Sequence, residues 1–308
     1  MFSKKLLIPL LSLSLLVTPA YSSHAAENTE AAGTSVEGQG MLSPSSSSEN
    51  SESVFNGSGA GTSSEPVTDE KLETILKQVQ SQLPAENGTW AVFISDLVNG
   101  TEGSLNDQKM QAASLIKLYI MGAVYENYDQ ITGQYGRDSV DSNLYSMITV
   151  SDNDAANTLT TYLGGGDSAA GMQAVNSFCQ AHGYDQTHMG RMLLASNEND
   201  DNYTSVGDCG HLLQEIYKQD TSSYTHAADM FNLLKAQTRC NKIPAQLPEG
   251  VKTANKTGEL DNVENDAGII YDSKNDVVIV FMSQNLSSAG SAQNTIATLS
   301  RTIYDYYN

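Results

Sequence analysis

The segments of this chain that read as strands lie at its two ends, and almost everything between them reads as helix. "WAVFISDL" (90–97) has the β-branched and aromatic content of a strand, and "NG" at 99–100 is a turn signal. Far along the chain, "VKTANKTG" (251–258), "NDAGIIYD" (265–272) and "DVVIVFMS" (276–283) read the same way, the last two joined by a short turn. Helices bracket this set. Leu72, Ile75, Leu76, Val79 and Leu83 keep one face over 68–83, with Thr68 as candidate N-cap, and 289–306 close the chain as a helix. Residues 114–127 and most of the stretch to 238 are helical in pattern, with breaks at "GGGD" (164–167), "HG" (182–183) and the polar run 196–203. Strands from both chain ends most simply share one antiparallel sheet. The pattern therefore predicts an α+β fold, not alternating βαβ units. The sheet is flanked by the N- and C-terminal helices and stands beside an all-helical lobe, with a cleft between the two as the expected ligand site.

This pattern occupies residues 67–308, enough for one domain with a full core, and no internal repeat is visible. Residues 1–26 read as a secretory signal: Lys4 and Lys5 form a basic start, "LLIPLLSLSLLV" (6–17) is a short apolar run, and "SHAA" (23–26) offers cleavage positions. The alternative is a retained anchor, for which that run is short against the ~20 apolar residues of a membrane span. Residues 27–66, with "SPSSSSENSESVFNGSGAGTSSEP", have no apolar period and read as a disordered acidic spacer. A formal charge of −20, or −22 once Lys4 and Lys5 leave with the signal, argues against nucleic acid as a partner. The expected product is an exported monomer with no membrane span after cleavage.

One residue type breaks the helical pattern. "AASLIK" (112–117) opens an apolar helix with Ser114 and Lys117 three apart, on one face and ~5–6 Å between Cβ atoms. A lysine in an apolar cleft has a lowered pKa, so it can take the proton that keeps serine from being a nucleophile. A lone Ser-x-x-Lys is a weak signal. Two further stretches strengthen it: "SDN" at 151–153, after a helical segment, and "KTG" at 256–258, where a strand begins. In this order they supply a nucleophile with its lysine, a second hydroxyl for proton relay, and a cationic strand edge to hold substrate.

At these residues the chain resembles the class A β-lactamases and the related penicillin-recognising serine transpeptidases and D,D-carboxypeptidases. "ITVSDNDAANTL" (148–159) with "LGG" (163–165), and "IPAQLPEGVKTANKTGE" (243–259), carry the likeness beyond the triplets. The 105 residues from Ser151 to Lys256 are typical of class A, whereas the 37 from Ser114 to Ser151 are fewer than usual, so the helical lobe is trimmed. The resemblance implies a metal-free and cofactor-free acyl-serine hydrolase of the bacterial cell envelope. Its substrates would be β-lactams or peptidoglycan-type acyl-D-Ala compounds. Ser114 would be the nucleophile and Lys117 its base, with Ser151 relaying a proton to the leaving nitrogen, aided by Lys256. Asn153 would hold the acyl-amide side chain, the strand edge Thr257-Gly258-Glu259 would line the substrate, and the N–H groups of Ser114 and Glu259 would form the oxyanion hole.

Two departures bear on turnover. Class A enzymes carry a glutamate that activates the deacylating water; aligning "GRMLLASNENDDNYTSVGD" (190–208) on Arg191 puts Leu193 on that glutamate and Asn197 on the family asparagine. Deacylation should then be slow, unless Glu198, Asp200 or Asp201 swings inward. No arginine stands between Arg239 and Arg301, so Lys242 is the expected cation for a substrate carboxylate. Rival readings are a D-alanyl-D-alanine peptidase or esterase, a β-lactam or muropeptide sensor that stays acylated, and a wall spacer protein with a vestigial site. Three cysteines, Cys179, Cys209 and Cys240, leave one thiol odd. Cys209 near the start of one expected helix (205–218) and Cys240 past the end of the next (224–238) would meet in a helical hairpin, which predicts a disulfide. Five scattered histidines and these cysteines show no metal-ligand spacing.

Overall fold

A computed structural model describes residues 69–219 and 224–308. The expected signal (1–26), the expected spacer (27–66) and the candidate cap Thr68 lie outside the described residues. Helix α1 (Glu70–Gln82) instead starts on Asp69, whose carboxylate accepts from the N–H groups of Lys71 and Leu72. Strands β1 (Thr89–Asp96), β2 (Thr101–Leu105) and β3 (Met110–Gln111) follow. A 3₁₀ turn, Ala113–Leu115, then leads into α2 (Ile116–Glu126), α3 (Tyr128–Tyr135), α4 (Arg137–Thr149), α5 (Asn153–Leu163) and α6 (Ser168–Ala181). Next come β4 (His188–Met189), β5 (Asn202–Thr204), α7 (Val206–Lys218) and α8 (Ala227–Lys235), and then a second 3₁₀ turn, Ile243–Gln246. Strands β6 (Lys252–Leu260), β7 (Val263–Tyr271) and β8 (Val277–Gln284) precede the closing helix α9 (Ala289–Tyr307).

The two chain ends build one five-stranded antiparallel sheet in the order β2-β1-β8-β7-β6, as the strand pattern predicts. Trp90 pairs with Ser283 and Ile94 with Ile279, so the earliest strand lies against the last. On one face Val92, Ile94, Ile279 and Phe281 pack with Leu72, Ile75 and Val79 of α1 and with Ile296, Leu299 and Ile303 of α9. On the other, Ala91, Phe93, Val278, Val280 and Met282 join the core of the helical lobe. Covering both faces explains why "VVIVFM" is a continuous apolar run and not an alternating one.

Helix α2 is the axis of the second lobe. Every residue from Ile116 to Tyr125 is buried, as a helix apolar on all sides demands. Lys117 is thereby carried into the interior at the N-terminal turn of α2, next to the outer strand β6.

Three features differ from expectation. β2 gives no strand signal because "TEGSL" is short, polar and half-exposed along its edge position. The middle lobe is not wholly helical: β3, β5 and β4 form a small sheet, two or three residues per strand, too short for a period of two to show. The cysteines are all free. Cys209 faces the core of α7, where Tyr119 donates to its sulfur at 3.4 Å, whereas α8 ends at Lys235 and leaves Cys240 out on a surface loop. One side chain points inward and the other outward, so the expected bridge does not form.

Candidate functional site

Ser114 sits in the 3₁₀ turn, directly after Ala113, whose φ of 49° is left-handed. That turn aims the serine at β6 while Lys117 stands behind it in the first turn of α2. The Lys117 Nζ reaches four acceptors: Ser114 Oγ at 3.1 Å, the Ser151 carbonyl at 2.7 Å, Ser151 Oγ at 3.1 Å and Asn153 Oδ1 at 2.7 Å. An ammonium donates through three protons, a neutral amine through two with a lone pair to spare. A neutral amine satisfies the two that can only accept, the Ser151 carbonyl and Asn153 Oδ1, and turns its lone pair to the Ser114 hydroxyl. Burial first, and then the nearby Arg239 guanidinium, push the Lys117 pKa down to about 7.

Ser151 and Asn153 come from the junction of α4 and α5. Ser151 has φ 61°, a left-handed conformation that is costly for a residue with a side chain. Asp152 then caps α5 by accepting from the Ala155 N–H at 2.8 Å, and Asn153 is the first helical residue. The bend turns the Ser151 hydroxyl back toward both lysines: Lys256 Nζ donates to it at 2.8 Å, across 105 residues of sequence. Lys256 is fully buried on β6 and also donates to the Thr257 carbonyl at 2.7 Å. Burial, and then the charges of Lys117 and Arg239, drive its pKa well below that of a free lysine.

Gly258 lets strand and turn meet. A Cβ there would lie 2.9 Å from the Ala112 carbonyl oxygen and 3.2 Å from the Ser114 nitrogen. Asn265 secures the contact from β7 by donating to the Gln111 and Ala112 carbonyls at 2.9 and 3.2 Å. Two adjoining cavities open above Ser114. The smaller, about 130 Å³, is lined by Ser114, Ser151, Asn153, Arg239, Thr257 and Glu259. The larger, about 320 Å³, runs from Ser114 and Asn153 past Leu193 and Leu194 to Asn197 and Leu260.

The structure places the expected residues unevenly. Ser114, Lys117, Ser151, Asn153, Lys256, Thr257, Gly258 and Glu259 converge. Asn197 lies on the wall of the larger cavity, its amide 3.5 Å from Asp201 Oδ2. Lys242 does not reach either cavity. It is fully buried beneath β6, where Glu264 at 2.6 Å, Glu259 at 3.2 Å and the carbonyls of Asn265 and Gly258 at 2.9 and 3.2 Å surround its ammonium. Its charge is spent inside the fold, which corrects the expectation that it binds a substrate carboxylate.

Arg239 is the cation that the sequence reading passed over. Half-exposed, it lines the smaller cavity and holds Glu259 Oε2 at 2.9 Å, while Lys242 keeps the other oxygen. Burial works to raise the Glu259 pKa, but Lys242 and Arg239 outweigh it and hold the carboxyl below its ordinary value. The signal for Arg239 was only its place three residues before Lys242.

Leu193 presents a buried apolar wall, its N–H and carbonyl clamped by Asn157 at 2.8 and 3.0 Å. Asn157 is one helical turn after Asn153 on α5, a spacing visible in "NDAAN". Asp201 is tied to Arg191 at 2.7 Å and Asp200 to His188 at 2.8 Å, while Glu198 stays exposed. Among the residues lining either cavity, Glu259 is the one carboxylate.

A family model described as "Beta-lactamase enzyme family" matches residues 71–138 and 134–307. Solved structures share the fold. A structure of PBP-A is 23% identical, with 76% of this chain and 96% of that chain covered and a TM-score of 0.67. A β-lactamase from Sphaerobacter thermophilus is 22% identical, with 75% and 95% covered and a TM-score of 0.62. A leucine-to-glutamate variant of PBP-A, in an acyl-enzyme complex with penicillin G, is 23% identical, with 76% and 96% covered and a TM-score of 0.65. No individual curated protein sequence matches.

Proposed function

Because the chain belongs to the β-lactamase enzyme family, we propose that it is an exported serine hydrolase that forms an acyl-Ser114 intermediate with β-lactams or related acyl donors and releases it slowly. The carrying observation is the pair of buried lysines that meet at the Ser151 hydroxyl, with Lys117 also on Ser114.

In this reading Lys117 takes the Ser114 proton as the Ser114 oxygen attacks the acyl carbonyl. The Ser114 and Glu259 N–H groups hold the oxyanion, a contribution of ~3–4 kcal/mol per donor in the transition state. The proton then passes through Ser151 to the leaving nitrogen, with Lys256 keeping that hydroxyl in place. Asn153 spends its oxygen on Lys117 and has no hydrogen bond for its amide protons among the described residues, so these point to the acyl-amide carbonyl. Thr257 and Gly258 line the substrate's other edge. Arg239 receives the substrate carboxylate, and Lys242 keeps Glu259 neutralised when it does.

Release is the weak step. Leu193 stands where the family glutamate would be and cannot deprotonate water. Glu259 is held by two cations. General-base catalysis supplies ~10²–10⁴ in rate, and its absence leaves deacylation rate-limiting. The same feature favours a second reading, a penicillin or muropeptide sensor that stays acylated. The leucine-to-glutamate variant of PBP-A, observed as an acyl-enzyme, supports asking the same question here. Intact-mass spectrometry after mixing with a penicillin tests both. A stoichiometric adduct on the wild type and none on Ser114→Ala supports the assignment, and equal labelling of the two refutes it. A persistent adduct favours the sensor, and rapid loss with continued turnover favours the hydrolase.

A further inference from the structure

Glu259 borders both cavities of the serine cleft. Its side chain joins two cations: Arg239 lies 2.9 Å from one carboxylate oxygen and Lys242 3.2 Å from the other. On the ladder it stands directly opposite Glu264 of β7. Like charges at paired positions repel, and Lys242, fully buried and 2.6 Å from Glu264, holds both carboxylates. The four side chains therefore balance, Arg239 and Lys242 against Glu259 and Glu264.

That balance leaves little for an incoming anion. Arg239 is the one lysine or arginine lining the smaller cavity, and Arg191 on the wall of the larger is tied to Asp201 at 2.7 Å. A carboxylate beside the scissile bond reaches Arg239 only by sharing the guanidinium with Glu259 or by displacing it. Either way the cluster takes on a negative charge that nothing offsets, because the Lys242 ammonium is already shared with Glu264. An ester or amide at the same place brings no charge. It leaves the Arg239–Glu259 pair closed, and its carbonyl oxygen accepts from a guanidinium N–H that Glu259 does not use, since arginine carries five.

We propose, on the reading of Ser114 as the acylated residue, that Glu259 sets the charge selectivity of the site. As an internal anion on Arg239 it takes the place of a substrate carboxylate, so the site favours acyl donors whose leaving group is capped there as a neutral ester or amide. The probes are penicillin G, with its carboxylate beside the leaving nitrogen, and penicillin G methyl ester. Ring and acyl side chain are common to the two, so changes in the chemical step cancel in the ratio of their acylation rates, acid over ester. Rates are read on the full chain by rapid quench and intact mass below saturation. In the unmutated protein the ester should react at least as fast as the acid. In Glu259→Gln, where Lys242 keeps Glu264 as its partner, the ratio should rise about tenfold as Arg239 is released for the carboxylate. In the double variant Arg239→Gln, Glu259→Gln that rise should vanish. An unmutated protein that prefers the acid tenfold or more overturns the proposal, as does an unchanged ratio in Glu259→Gln. So does a rise that survives in the double variant, since Glu259 would then act as a general charge and not through Arg239. Labelling of Ser114 by neither compound refutes the acylation reading and this selectivity with it, whereas labelling by both at an unchanged ratio overturns the selectivity alone.

Discussion

If Lys117 is the base of the proposed mechanism, lowering the pH from about 8 to about 6 should slow acylation of Ser114 roughly tenfold, because that amine titrates inside this range. Burial and the Arg239 charge bring Lys117 from 10.5 to about 7. At 1.36 kcal/mol per pKa unit, that is a bias on the order of 5 kcal/mol against the ammonium. The sign follows from which form works. Only the neutral amine has a lone pair for the Ser114 proton, so the rate is full above the midpoint and falls as pH drops through it. One unit below the midpoint, about a tenth of the molecules carry the free amine. Arg239→Gln removes the second-largest cause of the shift. Lys117 then holds its proton more tightly, and the midpoint moves to higher pH. The assay is rapid-quench labelling with a fluorescent penicillin at saturating concentration, which reads the chemical step apart from any loss of substrate grip. A flat rate from about pH 5.5 to about pH 8.5 would refute the reasoning. So would a midpoint left in place by Arg239→Gln, since the guanidinium would then not act on the base.

Leu193→Glu should speed loss of the acyl group by ~10²–10⁴ and leave the acylation burst unchanged. Its backbone is already clamped by Asn157, and stalled release in the variant would place the missing step elsewhere. Gly258→Ala should slow acylation tenfold or more, because a methyl 2.9 Å from the Ala112 carbonyl oxygen forces β6 away from the Ser114 turn. Thermal unfolding should change far less, and a normal burst rate would show that the close approach is not needed. A thiol reagent should find Cys240 in the native protein and Cys179 and Cys209 only after denaturation, and fewer than three reactive thiols in denaturant would show a bridge.

Local chemistry made much of this protein legible in one dimension. Ser114 and Lys117 face each other because three residues are nearly one helical turn, and that holds for any helix containing them. Strand content at both chain ends implied a shared antiparallel sheet, since each end alone has too few strands to bury its apolar faces. The order of "SLIK", "SDN" and "KTG" led to the family. What packing decides was hidden. Lys242 and Arg239 are three residues apart and both cationic, yet one is enclosed by Glu264 and backbone carbonyls while the other borders the cleft. Only the path of the loop beneath β6 separates them. Cys209 and Cys240 sit at helix ends that a hairpin would join, but side-chain direction depends on helix rotation and on where α8 stops. The 2.8 Å contact of Lys256 with Ser151 spans 105 residues. No local spacing encodes it, because it exists only once the sheet edge has closed on the turn between α4 and α5.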